Sequence, residues 1–192
     1  ALGYSETEIA GFDIREDRRQ EAESKYGVNV YDSFEKALQQ HNPDACIISV
    51  PPDLHHIYMQ KSVENDLHFF VEASVLDTNF EKLIAETDER SIIGVPSATM
   101  LFHPAIKKIK QIIDEGELGK ICNITFHSGQ YLPDWHTYEE VSDFYVSNKE
   151  TGGAREILPF ELTWITSIFG FPQRLSGVYK KTINIQGAEE ID

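Results

Sequence analysis

The sequence predicts an α/β protein that opens with a doubly wound sheet, and three observations predict it. Two continuous apolar runs, one within 44–56 and one within 67–74, each stop at small or turn-forming residues and flank a helical segment over 57–65. That is the pattern of strand, helix and strand in a parallel unit buried on both faces. Strand-like and helix-like segments alternate strictly up to residue 95, as a doubly wound sheet requires. From Pro104 the texture changes, with part of 121–131 alternating between apolar and polar side chains, so a second domain begins there and the boundary falls near 97–104.

The elements follow in order. A short strand over 8–12 ends at Asp13, and a charged helix over 15–26 closes at Gly27. Residues 28–31 form the next strand, and a helix over about 32–40 follows with Ser33 as its cap. After the 44–74 unit come a helix near 79–90, whose Phe80, Leu83, Ile84 and Thr87 share one stripe, and a strand over 92–95. A helix over 106–115 places Ile106, Ile109, Ile112 and Ile113 on one face and is ended by Gly116 and Gly119. Residues 121–131 read as a half-buried strand. A polar loop over 132–148 carries Trp135, Tyr138, Phe144 and Tyr145. Gly152-Gly153 leads into a helix near 154–169, and 173–185 reads as a further strand.

Composition bounds the function. With 192 residues, 41% of them hydrophobic, the chain can bury a core. A formal charge of −15 repels phosphate backbones and anionic membrane surfaces, which argues against nucleic-acid or membrane partners. The two cysteines, Cys46 and Cys122, each sit in an apolar strand-like run and are expected to be buried thiols rather than a disulfide or a metal pair. No His, Cys, Asp and Glu cluster has metal-ligand spacing, so no catalytic metal is expected. The absence of a long apolar span or a basic-then-apolar leader predicts a soluble, cytoplasmic protein.

In open parallel sheets ligands bind beyond the carboxyl ends of the strands, so 49–56 and 72–74 are expected side by side at one crevice. The residues there carry a resemblance. A strand ending in Ser49-Val50-Pro51-Pro52, then His55, then a helix and a strand ending at Glu72 resembles the Gfo/Idh/MocA family of nicotinamide-dependent oxidoreductases. So do Phe102-His103-Pro104-Ala105, the segment Gly116-Glu117-Leu118-Gly119-Lys120 and the Gly152-Gly153 helix entry. The resemblance extends over essentially the whole chain. It implies a Rossmann-type parallel sheet over 1–100, followed over 101–192 by an α+β substrate and oligomerisation domain with a mainly antiparallel sheet. It also implies NAD or NADP as cofactor, a sugar- or cyclitol-like substrate and a homo-oligomer.

A dinucleotide fold carries a glycine-rich turn after its first strand and an acidic residue about 20 positions later. Asp13 matches the acid, while only residues 1–7 precede the strand that it ends, so the first strand and the turn are expected to be missing sequence; the few second-domain strands suggest the same at the other end. Asp13 would accept hydrogen bonds from the adenosine ribose, which favours NAD over NADP, although Arg15 could instead cradle a 2′-phosphate and Asp13 could be an ordinary turn residue. Ser49, Val50, Pro51 and Pro52 would line the cofactor through backbone atoms or simply form a rigid loop. His55 would brace that loop, with a catalytic role the less favoured alternative, and His56 would face solvent.

The resemblance implies further roles that this chain does not reproduce. Glu72 matches the acid of a Glu-Lys-Pro motif, but Ala73 and Ser74 stand where the family has lysine and proline. On the helix after the paired glycines, Ile157 and Glu161 stand where the family has an aspartate and, four residues on, a histidine. Glu161 is therefore the candidate base, whereas Arg155 and Glu156 read as a solvated pair at the helix start. His103 is a candidate substrate ligand or a helix-entry brace, and Tyr131 is a further catalytic candidate. Tyr131, Asp134, Trp135, His136 and Tyr138 could present a stacking surface to a sugar, and serve equally as a packing loop or a subunit contact. Two functions follow: a divergent dehydrogenase, which is favoured, or a non-catalytic or regulatory relative that keeps the fold.

Overall fold

A computed structural model describes residues 3–73, 76–152, 154–178 and 180–188. The chain forms two compact units, Ala1–Cys46 and Ile47–Asp192, and each is described by itself.

In the first unit, strands β1 (Ala10–Phe12) and β2 (Asn29–Tyr31) pair in parallel, with Gly11 opposite Val30 and Phe12 opposite Tyr31. Helix α1 (Glu16–Tyr26) makes the crossover between them and buries no residue, as its nearly uniform polarity dictates. It stops where Gly27 turns left-handed at φ 67° and donates its N–H to the Glu23 carbonyl. Helix α2 (Phe34–His41) begins at Ser33, whose Oγ accepts from the Lys36 amide at 3.2 Å, so the expected cap is present. Phe34 is buried and meets the edge of Phe12 at 6.4 Å between ring centroids.

The second sheet has the order β3 (Ala45–Ile48), β4 (His68–Val71), β5 (Gly94–Pro96), and β4 and β5 run parallel with Phe70 opposite Val95. Helix α3 (His55–Glu64) packs on β4, and helix α4 (Phe80–Arg90) packs on α3. Ile48, Met59, Val63, Phe69, Val71 and Leu83 are buried. Burial on both faces is not observed. Along β4 buried Phe69 and Val71 alternate with exposed His68 and Phe70, and Ile47 is 76% exposed. The apolar run that suggested a doubly covered strand is thus covered on one face only.

Two short helices follow, α5 (Thr99–Phe102), which the sequence did not suggest, and α6 (Pro104–Asp114); helix α7 (Ala154–Phe169) has the bounds expected of it. α5 packs against both α6 and α7. The expected strands over 121–131 and 173–185 form no ladder among the described residues, and no antiparallel sheet is found there. Alternating polarity marks a half-buried segment, but a strand also needs a neighbour to accept and donate along its length. Cys122, expected to be a buried thiol, is accordingly exposed, while Cys46 in β3 is half-buried.

The loop over 132–148 instead closes on itself through three single turns, Leu132–Asp134, Val141–Asp143 and Tyr145–Ser147. Leu132, Val141, Val146, Ile185 and Ala188 form a small core, with Trp135, Phe144 and Tyr145 packed against it. Ile185, read from sequence as the last residue of a strand, and Ala188 beyond it are recruited to this core. Gly187, at φ 86°, permits the approach, since a Cβ there would lie 2.6 Å from the Ser142 nitrogen.

Candidate functional site

In the first unit the candidate residues gather at the carboxyl end of β1. The Asp13 amide extends the ladder by donating to the Tyr31 carbonyl at 3.2 Å, which fixes the aspartate at the strand end. Its Oδ1 accepts from the Arg15 amide at 2.8 Å, and among the described residues no donor meets its Oδ2. A carboxylate with one anchored and one open oxygen fits a ribose hydroxyl, which can donate to it. Arg15 turns away from that role: its Nε and Nη2 donate to the two oxygens of Asp17 at 3.1 and 2.7 Å. This pairing holds the Asp17 carboxyl below the usual carboxylate range. Arg19 donates from Nη1 to the carbonyls of Asp13 and Ile14 at 2.8 and 2.9 Å and so clamps the turn. Asp17 and Arg19 were missed from the sequence, where each reads as one charge among many on a polar helix.

In the second unit the carboxyl ends of β3 and β4 lie side by side, as expected, because the Glu72 amide donates to the Ile48 carbonyl at 3.0 Å. The Ser97 amide donates to the Val71 carbonyl at 2.7 Å and brings the end of β5 to the same edge. Beyond β3, Pro52–Leu54 makes one turn that runs directly into α3. His55 begins that helix almost fully buried and its Nε2 donates to the Val50 carbonyl at 2.8 Å, tying the Ser49 to Pro52 loop to the helix. Its Nδ1 is buried without a hydrogen-bond partner among the described residues. Burial holds the imidazole below the ordinary histidine range, against the opposing pull of the Val50 carbonyl and the charges of Glu72 and Asp53. This is the geometry of a brace. His56 is half-buried rather than solvent-facing, and its Nδ1 too lacks a partner. Glu72 is exposed and Ala73 half-buried; Ser74 lies outside the described residues.

Glu161, on α7, is held by two donors. Ser128 Oγ donates to its Oε1 at 3.1 Å and the indole Nε1 of buried Trp164 to its Oε2 at 2.6 Å. Trp164 in turn meets the edge of Phe126 at 5.3 Å, so the carboxylate joins α7 to the 121–131 segment. The Glu161 to Trp164 spacing of three residues was legible as one helix face. Ser128, 33 positions away, was not. His103 is exposed, and its Nδ1 accepts from the Ala105 amide at 3.2 Å, which makes it the cap of α6. Tyr131 is 54% exposed at the entry to the aromatic loop.

Within that loop the ring of His136 is stacked between Phe144, at 4.4 Å, and Tyr138, at 5.2 Å, and its Nδ1 lies 3.5 Å from Glu139 Oε2. Trp135, Phe144 and Tyr145 serve packing, while Tyr138 is 70% exposed. At the entry to α7, a Cβ on Gly152 would run into the Val146 carbonyl, so that glycine is required by close backbone approach. Gly153 and the side chain of Glu156 lie outside the description. Among the described residues no group of three or more His, Cys, Asp or Glu could hold a metal ion, and no helix is long and apolar enough to cross a membrane.

Residues 4–82 match the model of the family described as "Oxidoreductase family, NAD-binding Rossmann fold". The myo-inositol 2-dehydrogenase of Thermotoga maritima is 26% identical over 111 residues, 56% of this chain and 33% of that protein. The dTDP-3,4-didehydro-2,6-dideoxy-alpha-D-glucose 3-reductase of Actinomadura kijaniata is 23% identical over 118 residues, 60% of this chain and 36% of that protein. The chain thus aligns with about a third of the length of these curated relatives. The solved structure of a dehydrogenase candidate from Bordetella bronchiseptica RB50 superposes with a TM-score of 0.66 at 21% identity, over 84% of this chain and 42% of that one, a likeness of fold. The likeness to the Gfo/Idh/MocA oxidoreductases thus covers residues 4–82, less than half of the chain, and the parallel pairs and crossover helices described above accord with a Rossmann-type fold.

Proposed function

We propose that the protein is an oxidoreductase that moves hydride between a nicotinamide dinucleotide and a sugar- or cyclitol-like substrate. The observation that carries this is Asp13, a carboxylate with one open oxygen at the carboxyl end of a parallel strand, inside the segment that matches the NAD-binding family. NAD is favoured over NADP, because the guanidinium of Arg15, the residue that could cradle a 2′-phosphate, is already paired with Asp17. A bound nicotinamide would supply the hydride acceptor or donor. Asp13 would hold the ribose hydroxyls, and the loop braced by His55 would line the cofactor through Ser49, Val50, Pro51 and Pro52, with Glu72 beside it. Glu161 is the proposed proton-transfer residue, with His103 and Tyr131 as alternatives and the exposed face of Tyr138 as a surface for the sugar. A homo-oligomer, a cytoplasmic location and a domain boundary between residues 100 and 101 belong to the same proposal.

Calorimetric titration of the full-length protein tests it: NAD(H) is expected to bind more tightly than NADP(H), and Asp13→Ala to reduce that preference. Failure of both cofactors to bind would overturn the proposal. A non-catalytic relative is the second reading, and a specific observation favours it: Ala73, Ile157 and Glu161 replace the lysine, aspartate and histidine that the resemblance leads one to expect. Absence of nicotinamide reduction with every sugar, cyclitol and related alcohol tried would select it.

A further inference from the structure

We propose that Asp17 is a specificity-determining residue, which biases the protein toward a cofactor with an unmodified 2′-hydroxyl by occupying the guanidinium of Arg15. The inference rests on Asp13 marking the adenosine ribose. A 2′-phosphate is recognised by a guanidinium presented as a planar fork, two N–H groups to two oxygens. Three arginines stand close to Asp13 in sequence, and Arg15 is the one whose fork is shown bound edge-on to two oxygens. Arg15 spends its Nε and Nη2 edge on both carboxylate oxygens of Asp17. Arg18 pairs with Glu21 at 3.5 Å. Arg19 bonds two backbone carbonyls through Nη1 alone.

Of the three, Arg15 is the one whose backbone is tied directly to the ribose acid, through the 2.8 Å bond from its amide to Asp13 Oδ1. Its side chain therefore starts two residues from the expected 2′ position, and the carboxylate of Asp17 keeps the fork closed. Asp17 is thus a positioning residue that acts through Arg15, not a contact to the cofactor.

The test is fluorescence titration of the full-length protein with NADH and NADPH. Asp17→Ala is expected to raise NADPH affinity relative to NADH by about two- to fivefold, the worth of a solvent-exposed ion pair, with NADH affinity nearly unchanged. Adding Arg15→Ala to that variant is expected to abolish the gain. Circular dichroism checks that α1 persists, because an acid in its first turn also supports the helix. An unchanged ratio in Asp17→Ala, or a gain that survives removal of Arg15, overturns the latch and leaves the ribose role of Asp13 standing. Wild-type protein that prefers NADPH overturns the latch as well. Wild-type protein that binds neither cofactor overturns the reading of Asp13, and the latch with it.

Discussion

Glu161 is a carboxylate whose two oxygens each already accept one hydrogen bond and each retain a second lone pair for a ligand. Glutamine can satisfy both neighbours, with its carbonyl facing the Trp164 indole and its amide facing the Ser128 hydroxyl, so Glu161→Gln separates base chemistry from scaffold. If Glu161 transfers the proton, the variant lowers kcat by about 10²-fold while cofactor affinity holds. Normal turnover on an identified substrate would return Glu161 to a purely structural role and move the search to His103 and Tyr131. His55 makes a second prediction at this scale. Because burial depresses its folded pKa, the unfolded chain takes up a proton near the ordinary value of 6.5 that the folded chain refuses. Stability is fully present above that value and is lost as pH falls from it toward the lowered folded pKa. Urea midpoints measured across this window should decline in the wild type and flatten in His55→Gln, which keeps a donor but cannot be charged. An unaltered acid limb in the variant would assign the decline to other groups.

At the scale of elements, the β4–β5 pair depends on one residue without a side chain. Gly94 stands opposite Phe69, and a Cβ there would collide with the buried Phe69 ring. Gly94→Ala is expected to cost about 1–3 kcal/mol, the usual penalty of overpacking, and to lower the thermal midpoint. An unshifted midpoint would mean that the ring has room to move. The loop at the end of β3 depends in the same way on the first turn of α3, through the side-chain bond from His55 to Val50. His55→Ala should therefore destabilise by about 1–3 kcal/mol, because the carbonyl loses its partner. The brace was expected from the histidine that follows the paired prolines; its partner, the Val50 carbonyl, was not.

At the scale of the molecule, the open face of the second sheet carries Ile47, Phe70 and Val95, at 76%, 37% and 44% exposure. Phe70 and Val95 are direct neighbours across the ladder, so these are not scattered surface residues. Apolar rows of this kind are covered in working proteins. We expect the full-length protein to assemble as a homodimer or tetramer, and light scattering at working concentration checks it; a monodisperse monomer would count against it. The charge of −15 leaves the rest of the surface self-repelling, which confines association to such uncharged patches.

Local chemistry determined much of the fold from the sequence alone. The Ser33 cap, the stop at Gly27, the bounds of α7 and the strand–helix–strand succession of β3, α3 and β4 all follow from local sequence. The family resemblance and the position of Asp13 at a strand end were legible for the same reason, since motif and turn are contiguous. Partnership between distant segments was not legible. Residues 121–131 and 173–185 alternate like strands, yet a ladder depends on what lies alongside, and 185–188 found the aromatic loop instead. Only the tertiary structure decided that one face of the β4 sheet is covered, that Ser128 and Trp164 hold Glu161, and that the Arg15 side chain pairs with Asp17. Periodicity records which residues shun water, and packing geometry chooses the surface that shields them.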